Sequence, residues 1–270
     1  MDWFYTFENG EEQISYFNNV NHYIMLFLAL VVIIFFTMYY ERKSRKRQRI
    51  FVGFLTFLLI ALEGARLCWR YLYLRYNSLP VNFLSVTGLD FFTLCLYISF
   101  PLLIAAVVTM GKKDYTFGLS FIFAMGALSA IITLIYPVNL NAYQELYHAY
   151  NLIYLLERTA LITAGFILAI SRNISATEFL DLWGGLLSIA TFGGVAMFLS
   201  WILGWSKNLF YMASCPIFES AGVSLPFPLH IIMLGIFLFL FQLIMYLPFR
   251  LYEVWRNNAI MAGRYHARNK

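Results

Sequence analysis

Charged residues are scarce in this 270-residue chain, and their scarcity argues against a soluble protein. Only 12% of the residues are charged and 61% are hydrophobic, whereas a soluble domain carries about 25% charged residues. The chain therefore has no room for a separate soluble domain. We predict an all-α integral membrane protein that forms a single domain over residues 1–270.

Histidine and cysteine are also few, and they form no catalytic or metal-binding signature. The widely dispersed set is Cys68, Cys95, Cys215, His22, His148, His230 and His266. This spacing fits neither a disulfide framework nor a metal site. No HExxH, GxGxxG or P-loop pattern occurs, so the sequence predicts no metal and no cofactor.

The chain does contain long apolar runs. A helix needs about 20 residues to cross a bilayer, and seven of these runs are long enough. They are predicted at 23–40, 50–74, 90–110, 115–136, 150–170, 179–205 and 228–255. Residues 1–21 precede them as a polar, acidic extracellular lead-in, and residues 256–270 follow them as a basic cytoplasmic tail.

The distribution of Lys and Arg predicts the orientation of this bundle. Six basic residues lie in the 42–49 segment between the first two spans, and fourteen of the nineteen lie on that side of the membrane. Because cytoplasmic loops carry the excess of Lys and Arg, the N-terminus is predicted outside and the C-terminus inside. We expect a multi-pass protein of a bacterial plasma membrane, and no nucleic-acid partner for so short a basic run.

Three charged residues lie inside the second predicted span and share one helical face. Glu63, Arg66 and Arg70 are spaced at i, i+3 and i+7, so their side chains project from the same side of a helix. Each charge inside a membrane is unfavourable by roughly 3 kcal/mol or more. We therefore predict that this face lines a polar cavity.

The fifth predicted span carries two more charges, Glu157 and Arg158, at a matching depth. A rise of about 1.5 Å per residue places Glu63 and Glu157 each roughly 10 Å below the outer face. Arg66 lies a little shallower, and Arg70 lies near the outer interface. The sequence thus predicts five ionisable groups from two helices in the outer half of the membrane.

Two compatible interpretations of these charges follow. In the structural one, Glu63 and Glu157 form salt bridges with Arg66 and Arg158 that hold two helices in register. In the functional one, the arginines bind a polar or anionic headgroup, because guanidinium matches carboxylate and phosphate geometry. Three arginines against two glutamates leave capacity for one anion.

Cys95 is the cysteine whose depth suits this cavity, five residues into the third predicted span. As a structural residue it packs like a small hydrophobe, and no histidine is visibly placed to activate it. As a functional residue it is a candidate nucleophile. Asp90, His230 and Asp181 lie near helix ends, where we predict interfacial positions.

Two stretches resemble the YwaF-like family of bacterial integral membrane proteins. The run Ser206–Met212, preceded by Ser200–Gly204, is similar to that family's motif NWLTGSNYMFL. The helix of Glu63 followed by Leu79–Pro80 resembles the family's acidic second helix leading to an LPLHLC motif. The resemblance covers most of the chain and implies a seven-span fold with a lipid-facing cavity.

Eukaryotic relatives of that family are intramembrane phospholipid acyltransferases, with a cysteine on the third span and a histidine on the fifth. Here the family's histidine and cysteine in LPLHLC fall on Asn82 and Leu84, and Cys95 corresponds to that cysteine only through an insertion. The fifth-span histidine falls close to Glu157 or Arg158. The resemblance therefore supports the fold and the cavity more directly than the acyl-transfer chemistry.

Three hypotheses of function follow. The first is a protein that binds a lipid or another amphiphile, whose polar head contacts the five charged residues. The second is an intramembrane acyltransferase or hydrolase acting on lipids, with Cys95 as nucleophile and Glu157 as base. The third is a transporter or receptor-like module for a small anion. Membrane lipids and an anionic amphiphile are the expected partners, and the sequence identifies no protein partner.

Overall fold

The computed structural model of the chain describes residues 20–109, 116–135, 149–171, 179–204, 210–211, 218, 222, 226 and 229–268, and within these ranges all regular structure is helical. The helices are α1 (Val20–Glu41), α2 (Arg45–Tyr76), α3 (Phe83–Thr87), α4 (Phe91–Thr109), α5 (Thr116–Phe121), α6 (Leu128–Ile135), α7 (Ala149–Ser171), α8 (Phe179–Leu203) and α9 (Leu229–Arg268), and a π-helix (Ile122–Ala127) joins α5 to α6. Of the predicted lead-in, residues 1–19 lie outside the described part.

In the described part of the chain, seven helical stretches are long and apolar enough to cross a membrane, which confirms the predicted all-α, seven-span fold. The second is longer than predicted, since α2 has 32 residues and extends roughly 48 Å. A hydrocarbon core of about 30 Å leaves its basic first turn outside the membrane. The seventh apolar stretch is Leu229–Leu247, and the predicted basic tail continues the same helix to Arg268.

The fifth span, α7, lies in the interior of the bundle. It packs against α2, α1, the π-helix and α6, and most of its side chains are buried. By contrast, α1 exposes large apolar side chains such as Phe27 and Phe35, as a helix facing lipid does. Polar residues on α7 are therefore enclosed by protein.

A π-helix interrupts the fourth span where it approaches α4. At Gly126 an added Cβ would lie 2.6 Å from Oγ of Ser99, so the close approach requires glycine at this position. The Ser129 hydroxyl donates to the Gly126 carbonyl at 2.9 Å, and both Gly126 and Ala130 are buried. Short π-helical turns occur frequently beside functional sites.

A short helix, α3, follows the C-terminal end of α2, in a stretch for which the sequence analysis predicted no helix. Asn82 caps it: its side chain accepts from the Ser85 N–H at 2.9 Å, and the Ser85 hydroxyl accepts from the Asn82 N–H at 2.9 Å. Such a reciprocal pair satisfies two backbone donors that a helix N-terminus leaves free. The helix ends at Gly88, in the left-handed region with φ of +56°.

Candidate functional site

The predicted charged face of α2 carries an ion pair formed within the helix itself. Arg66 donates from Nε to Oε2 of Glu63 and from Nη2 to Oε1, both at 2.7 Å. A two-point contact between guanidinium and carboxylate is among the stronger charge-assisted hydrogen bonds. Both side chains are buried, at 5% and 4% exposure, so each supplies the countercharge that the other needs.

Two groups from outside α2 complete this pair. The Tyr97 hydroxyl on α4 donates to Oε1 of Glu63 at 2.6 Å. Nη2 of Arg66 also donates to the backbone carbonyl of Thr87, at 2.9 Å, where α3 ends. The pair therefore connects α2 to α3 and α4. The structural interpretation from the sequence expected these charges to hold α2 and α7 in register, and the contact between Glu63 and Glu157 does lie between those two helices.

Arg70 lies one turn farther along α2 and contacts α3. Its Nε donates to the carbonyl of Ser85 at 2.6 Å, and its guanidinium occupies the space where a Cβ at Gly88 would lie. In the described ranges, no hydrogen bond joins Arg70 to Glu63 or Glu157. Arg70 thus holds α3 against the C-terminal end of α2.

Glu157 on α7 lies beside the ion pair, at the level that its predicted depth requires. Its carboxylate interacts electrostatically with Glu63 and Arg66 across the contact between α7 and α2. The side chain is fully buried. The carboxyl groups of Glu157 and Glu63 lie within hydrogen-bonding contact of each other. Apart from that contact, neither oxygen of Glu157 has a hydrogen-bond partner among the residues that the structure describes, and an enclosed polar atom of this kind calls for an explanation.

Arg158 projects in a different direction from Glu157, because successive helical residues point about 100° apart. Its guanidinium lies over the ring of Tyr154 at 4.9 Å, a cation–π contact. Nε and Nη1 are enclosed and lack a hydrogen-bond partner within the described ranges. The predicted salt bridge to Arg158 is therefore not formed there, and the ion pair present is that of Arg66 with Glu63.

Cys95 completes the centre from α4. It is fully buried, its thiol interacts with the Ser129 hydroxyl, and it also interacts electrostatically with Asp90 and Arg158. Glu157 interacts electrostatically with Arg158, Glu63 and Arg66. Arg158 is therefore the charged residue whose field acts on both Cys95 and Glu157.

Two residues that were predicted to be interfacial are buried. Asp90 is 8% exposed, and its Oδ1 accepts from the Thr93 N–H at 2.7 Å, which makes it the N-cap of α4. His230 is 2% exposed, and its Nε2 lies 2.7 Å from the carbonyl oxygen of Tyr211. Both are held by backbone groups of the bundle. The side chain of Asp181 lies outside the described part.

Several neighbours of the charges were missed in the sequence analysis. Tyr97, Tyr154 and Ser129 are uncharged residues inside apolar spans, and tyrosine and serine are common there without any special role. Only the three-dimensional packing selects them. Asn82 and Ser85 did carry a signal, because Asn-x-x-Ser is a variant of the capping pattern that begins a helix.

Comparison with known proteins gives a family and no closer relative. The model of the TMEM164 family, a membrane-protein family, matches residues 16–246, most of the chain. No curated protein and no solved structure matches the chain significantly. The match confirms a membrane-protein family and does not confirm the YwaF-like resemblance. The chain therefore belongs to the TMEM164 family.

Proposed function

We propose that this protein binds the polar head of a membrane lipid, or of a similar amphiphile, in the polar centre formed by Glu63, Arg66, Glu157 and Arg158. One observation carries the proposal. Apart from the contact between the carboxyl groups of Glu157 and Glu63, the two oxygens of Glu157 and two nitrogens of Arg158 are enclosed without hydrogen-bond partners among the described residues. Leaving such atoms unsatisfied costs about 1–3 kcal/mol each, and more when they are charged.

The chemistry of the open positions indicates which head fits. Arg158 offers N–H donors, which suit a phosphate or carboxylate. Glu157 offers acceptor oxygens, which suit a hydroxyl or ammonium group. A phospholipid or lysophospholipid head carries both kinds of group. Glu63 and Arg66 already bind each other, so they would shape the site, and Arg70 would lie at its outer end.

The test is to identify what remains bound after purification in a mild detergent. Lipid mass spectrometry should find one class of phospholipid enriched over the bulk membrane in the wild-type protein. Glu157→Gln and Arg158→Gln should each lower that enrichment by about tenfold, the loss of roughly 1.4 kcal/mol of binding. Arg75→Gln is the matched control, since Arg75 is exposed at the outer end of α2. A melting curve for each variant shows whether it folds.

Several outcomes would count against the proposal. Equal enrichment in all four proteins would place the lipid elsewhere. No enrichment in the wild-type protein, together with flux of a small anion into vesicles that contain it, would favour a transporter. One further variant would instead support the proposal. If Arg158→Lys folds but loses the lipid, the planar guanidinium is needed for binding.

A second candidate is lipid acyl transfer through Cys95, and the position of that thiol beside Ser129 and Arg158 favours it. A base would take the proton of the thiol, and Glu157 is the base that the sequence analysis named for this role. The sulfur would then attack an ester carbonyl of a donor lipid. The ester C–O bond would break, and the leaving alcohol would take the proton. A hydroxyl of a second lipid would then displace the sulfur, which restores the thiol.

This second candidate has its own test, because a thioester is cleaved by neutral hydroxylamine. Incubation with a phospholipid that carries a labelled acyl chain should leave label on the wild-type protein that hydroxylamine removes. Cys95→Ser should abolish the label. Cys68→Ser should retain it, since Cys68 is exposed on α2. Label that persists in Cys95→Ser would contradict acyl transfer through this residue.

A further inference from the structure

A second polar site lies at the opposite end of α2, in the turn that joins it to α1. An open groove of about 370 Å³ is present there, within the size range of ligand pockets. Its lining residues are Tyr39, Tyr40, Lys43, Arg47, Ile50, Phe51 and Phe54. Arg47 and Glu63 are sixteen positions apart on α2, or roughly 24 Å along the helix, so the groove is separate from the centre described above.

The groove has one basic end and one apolar end. Lys43 and Arg47 form the basic end, and the Lys43 ammonium lies 4.3 Å from the centre of the Tyr39 ring. Arg47, Ile50 and Phe54 follow at helical spacing on one face of α2. Ile50 is 63% exposed and Phe54 is 55% exposed, although both border a basic loop. Amphipathic lining of this kind matches an amphiphile more closely than a free ion.

The groove is held in shape by contacts inside the turn. Nε2 of the buried Gln48 donates to the Tyr40 carbonyl at 2.9 Å, and the Lys43 N–H donates to the same carbonyl at 3.0 Å. The rings of Tyr40 and Phe51 stack with centroids 3.9 Å apart. These contacts fix the end of α1 against the start of α2. A ligand would therefore meet a preformed site, which lowers the entropic cost of binding.

We propose that this groove binds an anionic glycerophospholipid. The phosphate would lie between the Lys43 ammonium and the Arg47 guanidinium, and one acyl chain would extend beside Ile50 and Phe54. Charge complementarity identifies the ligand: six basic residues occupy 42–49 against Glu41 alone, and anionic lipids attract basic segments beside a transmembrane helix. The orientation predicted from Lys and Arg puts the groove in the cytoplasmic leaflet, where such lipids are found.

The experiment compares two double variants that remove the same charge. The purified protein is reconstituted in nanodiscs of phosphatidylcholine with a minor fraction of phosphatidylglycerol, and native mass spectrometry counts the lipids that stay bound. The wild-type protein should retain phosphatidylglycerol above its bulk fraction. Lys43→Gln/Arg47→Gln should retain about ten- to thirtyfold less. Arg45→Gln/Lys46→Gln, from the same segment but outside the groove, should behave as wild type.

Each result decides the matter. Equal loss in both double variants would mean that the loop attracts anions by total charge, and the groove would have no special role. Displacement of the lipid by inorganic phosphate alone would indicate a phosphate site without an acyl-chain contribution. Phe54→Ala should weaken retention without changing charge. Melting curves in phosphatidylcholine alone show whether each variant folds. If Lys43→Gln/Arg47→Gln does not fold, the single variant Arg47→Gln takes its place.

Discussion

Replacement of Arg66 by leucine tests whether the ion pair on α2 is truly enclosed. The substitution removes both 2.7 Å hydrogen bonds to Glu63 and the 2.9 Å bond to the carbonyl of Thr87. Glu63 would keep the Tyr97 hydroxyl but no cation bonded to it. Breaking a buried ion pair from one side typically costs about 3–5 kcal/mol, because the remaining charge is left uncompensated. We expect a loss of that size in the free energy of unfolding.

Two comparison variants show where that loss arises. Arg70→Leu removes one hydrogen bond, to the Ser85 carbonyl, from a residue that is only partly buried. About 1 kcal/mol is expected for it. The double variant Glu63→Leu/Arg66→Leu removes both charges together. It should be destabilised much less than Arg66→Leu, because no orphaned charge remains.

The assay is equilibrium unfolding in mixed micelles, where a denaturing detergent is titrated into protein held in a mild one. Helical circular dichroism reports the folded fraction for wild type and the three variants in the same lipid mixture. Equal losses for Arg66→Leu and Arg70→Leu would refute the reasoning, since they would mean that both arginines have the same access to water. A double variant as unstable as Arg66→Leu would also refute it.

Three further predictions concern topology and the network around Glu63. In a background without native cysteines, Ser44→Cys should react with an impermeant maleimide only after the cells are permeabilised; labelling of intact cells would reverse the predicted orientation. Tyr97→Phe should cost about 1–2 kcal/mol of unfolding free energy, since it deletes a 2.6 Å hydrogen bond to a carboxylate,; no measurable loss would contradict that bond. Glu63→Gln and Arg158→Gln should be coupled by about 0.5–3 kcal/mol in a double-mutant cycle, through Glu157 between them, and additive losses would separate the two sides of the centre.

The seven spans could be predicted from the sequence because hydropathy records a physical requirement. A helix that crosses a membrane must be apolar over about 20 residues, and the helices in the described ranges meet that condition seven times. The common level of Glu63 and Glu157 was predictable too, since helical rise converts sequence position into depth. The end of the seventh helix was not, because α9 continues past its apolar stretch to Arg268.

The partners of the charges could not be predicted, since rotation about each helix axis is set by packing. Tyr97 donates a hydrogen bond to Glu63, which lies 34 positions earlier in the sequence. The local sequence of α4 does not distinguish Tyr97 from the other aromatic residues of that helix. The same holds for Arg158. Charge alone suggested a glutamate as its partner, whereas the observed neighbour is the ring of Tyr154. Periodicity predicts which residues share one face of a helix, but it does not predict which residues of another helix that face contacts.

The enclosure of α7 has a consequence for how the protein enters the membrane during synthesis. Its apolar stretch, Ala149–Ile170, has the lowest hydropathy of the seven, and it carries Glu157 and Arg158 next to each other. Charged residues at the centre of an inserting helix each oppose its passage from the translocon into lipid by about 2.5–3.5 kcal/mol. The ribosome makes α1 and α2 first, and these are the helices against which α7 packs most extensively. Partitioning of α7 into the membrane therefore depends on helices that are already inserted. Because α1 and α2 are synthesised first, α7 can place its charged residues against protein rather than against lipid.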